Sequence, residues 1–211
     1  MVGQGKRVLT PAERAERAPL DAALSYAALG WPVVGGSTWN GRNWEWHNGT
    51  TRKPTAELAP IIPRDFATTE LNQITRWWQP RQVVMPTILV VTGGRFDVIE
   101  MRGAVAVKVR RSTGFRRNRT PVVFRRDTDR AYFFTTTGWE QPSDGFGDEA
   151  GGVKLLKPRS LVLVPPARLP GQATALWWVN PSEVKGKVID YDTFEKFLRS
   201  VFAGTPDPDK P

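Results

Sequence analysis

The residue types that most often carry enzyme chemistry are scarce in this chain. It has no cysteine and one histidine, His47. A disulfide framework, a thiolate metal site and a cysteine nucleophile are therefore excluded, and a Ser/His/Asp hydrolase has one loop imidazole to build on. A zinc centre needs more nitrogen or sulfur ligands than His47 supplies. No Gly-rich phosphate loop of the P-loop type occurs, and Gly93-Gly94 reads as a turn. Carboxylates and guanidinium groups remain. Asp97 and Glu100 fall in a strand-like run, Phe96 to Met101. Three residues apart, they point to opposite faces of a regular strand, and only a bulge brings both inward. Asp127 and Asp129 sit in the turn-prone stretch Arg126 to Asp129, where aspartate is ordinary turn chemistry.

The cations are concentrated. The 211 residues carry 30 Lys+Arg and 21 Asp+Glu, a formal net charge of +9. Residues 102–130 hold ten of those cations and two of the acids, so the remainder of the chain is nearly neutral. Lys108, Arg110, Arg111, Arg116, Arg117, Arg119, Arg125 and Arg126 follow one another with no acid among them. Such a run is often a solvated face. Seven arginines to one lysine, flanking two predicted strands around the loop Ser112 to Thr120, favours contact with phosphates, because a guanidinium binds them bidentately and releases counterions. Trp39, Trp44 and Trp46 beside Arg42, Arg52 and Lys53 have the composition of a base-stacking platform. Tryptophans in a Gly/Asn-rich loop more often pin that loop to the body.

The elements that position these groups read as follows. Thr10, Pro11 and Glu13 open a helix to about Leu29, with Gly30 as stop. A short strand at Trp31 to Val34 precedes a loop from Gly35 to Pro54, and a second helix runs from about Glu70 to Gln79. Strands are expected at Ile88–Thr92, Phe96–Met101, Ala104–Arg110, Val122–Arg125, Ala131–Thr135 and Leu161–Val164, and a loop at Pro142 to Gly152. Asp192 and Glu195 form a capping box for a last helix, Thr193 to Phe202. One member each of Trp77-Trp78 and Trp177-Trp178 is expected in the core. Helices and strands mix without strict alternation, so the fold class is α+β. One domain over residues 1–204 with a disordered tail at 205–211 is expected. Apolar content of 40% is too high for a disordered chain. No signal peptide and no membrane span is read, so a cytoplasmic protein without a membrane partner is expected.

Several stretches, in this order, carry a resemblance. They are Ala27-Ala28-Leu29-Gly30-Trp31-Pro32-Val33, Arg52-Lys53-Pro54, Ala67-Thr68-Thr69 with Ile74 and Trp77-Trp78, Thr92-Gly93-Gly94 leading into Val98-Ile99-Glu100, and Leu163-Val164-Pro165-Pro166. Across Ala22 to Pro181 they resemble the N-terminal domain of bifunctional DNA primase/polymerases. That domain belongs to the archaeo-eukaryotic primase superfamily and occurs in actinobacterial and mobile-element proteins. The resemblance implies a primase-polymerase fold, with a helix-strand N-terminal unit packed on a mixed or antiparallel sheet unit.

It also implies nucleotidyl transfer by two metal ions, held by an acid-x-acid pair on a strand, a histidine before a strand aromatic and a further carboxylate. At those places this sequence has Glu100-Met101-Arg102, then Arg130-Ala131-Tyr132-Phe133, then Lys154. Three of the four positions are basic. The expected function is a catalytically degenerate domain that needs no cofactor. It would bind single-stranded or primer-template nucleic acid, or a nucleotide triphosphate, through the arginine-rich strand-loop-strand segment, with Lys53 adding a contact. Arg102, Arg130 and Lys154 would replace the metals. Two alternatives stand beside it. One is an active Mg²⁺- or Mn²⁺-dependent primase/polymerase using Glu100 with Asp97 or a turn aspartate. The other is a protein-interaction adaptor in a replication or mobile-element system, with a helicase or other replication protein as partner in trans.

Overall fold

The computed structural model describes residues 11–47, 51–79, 85–137 and 152–203. The expected loop from Pro142 and the expected tail at 205–211 thus fall almost wholly outside the described residues. Helix α1 spans Pro11–Ala28 and buries Ala23, Tyr26 and Ala27. It ends as expected: Gly30 takes φ 75°, and the Leu29 and Trp31 amides donate to the Tyr26 carbonyl. Strand β1 (Val33–Gly36) follows. Next come three short strands, β2 (Thr38–Trp39), β3 (Trp44–His47) and β4 (Arg52–Thr55), which pair in that order as an antiparallel meander. The sequence reading has a loop here. Asn40 makes the difference, because its side-chain oxygen accepts from the Arg42 and Asn43 amides and folds the chain back at Gly41.

Helix α2 (Leu71–Trp77) buries Ile74, and Trp78 just beyond it is also buried. Strand β5 (Thr87–Val91) is the centre of a three-stranded antiparallel sheet, paired with β1 and with β10 (Leu161–Val164). Its continuous apolar run matches burial of nearly every residue in these strands.

The second unit is a five-stranded antiparallel sheet. It is built from β6 (Asp97–Arg102), β7 (Val122–Arg125), β8 (Arg130–Thr135), β9 (Val153–Leu155) and β11 (Ala175–Val179), in the order β11-β7-β8-β6-β9. Between β6 and β7 lie helices α3 (Gly103–Arg111) and α4 (Thr113–Arg117). The strand expected at Ala104–Arg110 is therefore a helix. Val105, Val107 and Val109 alternate as in a strand, but the residues that pack inward are Gly103, Ala106 and Val109, spaced by three. Gly103 fits because its site has no room for a side chain: an added Cβ would collide with the Asp129 carboxylate. Helix α5 spans Tyr191–Ala203. Its cap is Asp190, whose carboxylate accepts from the Thr193 amide at 3.0 Å, and not the expected Asp192.

Alternation along the sheet makes two cores. Ile99, Met101, Val122, Phe133 and Val179 face α3, α4 and α5, where Phe115, Phe194 and Leu198 complete the cluster. Val98, Val123, Phe134 and Ala175 face the three-stranded unit, where Trp31 stacks on Phe134 at 4.7 Å. Trp177 joins this second cluster and Trp178 the first, so both are half-buried, one on each side of the sheet. The expectation of one core and one surface tryptophan is met in part by Trp77-Trp78, where Trp78 is buried and Trp77 half-buried against the core, and fails for Trp177-Trp178.

Candidate anion-binding face

The antiparallel register places the sequence-predicted motif residues on one face. Arg102 lies directly opposite Arg130, and Arg130 lies directly opposite Arg125, so three arginines form a rung across β6, β8 and β7. In the next rung Glu100 stands between Tyr132 on β8 and Lys154 on β9. Glu100, Arg102, Arg130 and Lys154 therefore share one face of the sheet. Strand β6 achieves this because residues two apart share a face.

Directly opposed like charges destabilise a sheet unless something compensates them. Two carboxylates do so in part. Arg130 Nε lies 3.7 Å from Glu100 Oε1. Arg125 donates from Nε and a terminal nitrogen to the two oxygens of Asp127, at 3.2 and 2.6 Å. Burial works against the Arg125 charge, but the Asp127 contacts outweigh it and hold the guanidinium above its ordinary pKa. Tyr132 stands beside both pairs, directly opposite Glu100 on β6 and Val123 on β7. Burial, reinforced by the Glu100 charge, pushes its hydroxyl up to about 12, so it stays a neutral donor. Arg102 lies along the backbone of Gly152, where an added Cβ would approach its Cγ and Cδ to 2.7 Å.

Arg125 and Asp127 also line one end of a cleft of about 550 Å³ between the two units. Its apolar wall comes from Trp44, Leu58, Leu89, Leu161 and Pro170. Glu57 and Thr128 also line it, so the arrangement is a cationic rung beside a cleft of mixed polar and apolar character, which suits a ligand with anionic, polar and apolar parts.

A two-metal donor set does not fit these residues. Glu100 and Asp127, the carboxylates beside the rung, are each engaged by an arginine, and Glu57 lines the cleft farther along. The pairing of Glu100 with Asp97 is corrected: β6 and β8 keep unbroken register from Asp97 to Arg102, so there is no bulge and Asp97 points to the helix side. There it is 6% exposed, and burial raises its pKa against the opposing effect of a Gly93 backbone hydrogen bond. Among the described residues no group of three or more His, Cys, Asp or Glu side chains could hold a metal ion.

The arginine-rich run is also corrected, from strand-loop-strand to helix-helix-strand. Lys108, Arg110 and Arg111 end α3, Arg116 and Arg117 end α4, and Arg119 pairs with Glu183 at 2.6 Å. Arg125 and Arg126 stand at the β7–β8 hairpin. Lys53 is on exposed β4, opposite Trp46. Trp44 is buried and meets Trp39 edge-on at 5.7 Å, so these two pin the meander to the body. His47 is buried beside them, and burial, with Arg52 adding to it, lowers its pKa. Sequence reasoning missed the place of Tyr132 beside Glu100 and the clamp of Arg125 on Asp127. Alternation from Arg130 would have placed Tyr132 on the motif face.

No helix among the described residues is long and apolar enough to cross a membrane. No curated protein and no solved structure matches the chain. The sequence model of the family described as the bifunctional DNA primase/polymerase N-terminal domain, Prim-Pol, matches residues 23–188. With that match over most of its length, and with the motif positions gathered on one face of a mixed α and β fold, the chain belongs to the Prim-Pol family and is a DNA primase/polymerase-like domain.

Proposed function

We propose that this domain binds the phosphates of nucleic acid or of a nucleotide triphosphate on the Arg125–Arg130–Arg102 rung, with Lys154 beside it, and does not transfer nucleotides. The observation that carries this reading is the rung of three arginines with Lys154 in the next rung: four cations against the two carboxylates that pair with them, where metal chemistry needs the balance reversed. Cations of this geometry neutralise phosphate oxygens without a divalent ion, and arginine's planar fork does so bidentately.

A second reading rests on one feature. Glu100 and Asp127 pair with neighbouring arginines of the same rung, so two carboxylates lie beside each other's partners there. If a ligand drew Arg130 and Arg125 away, the pair would be exposed to a cation. Primer extension with Mn²⁺ separates the readings. The proposal expects no product from the wild type; product that Glu100→Ala abolishes would establish the enzyme instead. An adaptor that contacts only other proteins would show no affinity for oligonucleotides or triphosphates at low salt.

A further inference from the structure

The five-stranded sheet divides the cations between two surfaces. Arg102, Arg125, Arg130 and Lys154 are on the side of the cleft. Lys108, Arg110, Arg111, Arg116 and Arg117 are exposed on α3 and α4, on the other side. No acid occurs between Arg102 and Arg126 to offset either group within the segment.

The helix-side surface also holds an aromatic stack. A bulge in edge strand β11 lets both Trp178 and Val179 turn to the helix side. Trp178 stacks on Phe124 with centroids 4.3 Å apart, and the Arg110 guanidinium lies 4.7 Å over the Trp178 ring. That contact fixes the guanidinium by its face and leaves its edge donors for another acceptor.

We infer that α3 and α4 form a second contact for the sugar-phosphate backbone, so that one domain holds a single nucleic-acid strand at two separate surfaces. This rests on the phosphate-binding reading of the rung and adds to it a distinct site. Five of the six cations from Lys108 to Arg119 are arginines, the residue suited to bidentate phosphate contact. A lipid surface is disfavoured, because Ala106, Val109 and Phe115 are spent on the core with Val105 packed against them, and only Ala104 and part of Val107 remain outside it. Two linked contacts raise affinity for any strand long enough to reach both, through the effective concentration of the second.

The test is titration at low salt with labelled single strands of about 8 and about 40 nucleotides, the first within and the second well beyond the roughly 4–16 nucleotides that one single-strand site covers. Two double variants, Arg111→Glu with Arg116→Glu and Arg102→Ala with Arg130→Ala, are compared with the wild type after matching their thermal melts. The wild type should bind two short strands and each double variant one, and each variant should weaken the long strand at least tenfold. A single short-strand site, lost only in the Arg102/Arg130 variant, overturns the second contact and leaves the rung reading intact. A single site lost only in the Arg111/Arg116 variant overturns the rung reading and the double contact together. Phosphatidylserine vesicles bound through Arg111 and Arg116, with no oligonucleotide bound at all, would overturn both.

Discussion

Arg130 reaches diagonally across the β6–β8 pair to set its Nε 3.7 Å from Glu100 Oε1, while its direct partners on the two neighbouring strands are both arginines. Both members of the pair remain partly exposed, so the contact adds little stability, of the order of 0–1 kcal/mol. Its weight is electrostatic: Glu100 partly cancels the middle charge of the rung.

Glu100→Gln should therefore bind phosphate ligands several-fold more tightly than the wild type and melt at nearly the same temperature. Fluorescence anisotropy with a labelled oligonucleotide, beside a thermal melt, checks both. Weaker binding would mean that the carboxylate takes part in holding the ligand.

Gly152 couples stability to the site. It adopts φ 62°, where an L side chain costs about 1–2 kcal/mol, and an added methyl would meet the Arg102 side chain. Gly152→Ala should lower Tm by roughly 2–8 °C, taking about 2–4 °C per kcal/mol for a chain this size, and should weaken oligonucleotide binding by displacing Arg102. Gly171→Ala is the control. Gly171 has φ 68° with nothing within 4 Å of the added carbon, so a similar loss of stability should leave binding unchanged.

Asp97 reports on its side of the sheet. Burial raises its folded pKa above the ordinary 3.8, so the folded state holds the proton more tightly than the unfolded one and stability falls as pH rises through the carboxylate range. Below that range both states are protonated and the penalty vanishes. Asp97→Asn should thus melt higher than the wild type at pH 7 and match it near pH 3.5. A difference that does not change with pH would contradict the buried placement.

Much of this was legible in the sequence where local patterning and tertiary contacts agree. The hairpin at Asp127–Asp129, strand Leu161–Val164 and the stop at Gly30 lie where their residues place them. The shared face of Glu100 and Arg102 follows from strand period alone; the same period set Asp97 on the other face unless a bulge intervened, and the unbroken β6–β8 register has none there. Helix α3 was not legible, because its alternating valines imitate a strand and burial selects Gly103, Ala106 and Val109. Strand β9 is three residues long, so the position of Lys154 rested on motif order until the β6–β9 register placed it opposite Glu100. The rung depends on three strands lying side by side, an arrangement that no single segment encodes.

The central claim is that cations have taken over the work of metal ions on this face. Oligonucleotide affinity measured in EDTA and again in Mg²⁺ or Mn²⁺ tests it most directly. The account predicts binding that persists in EDTA and falls steeply with added salt, as counterion release requires. Binding that appears only with the divalent ion would contradict it.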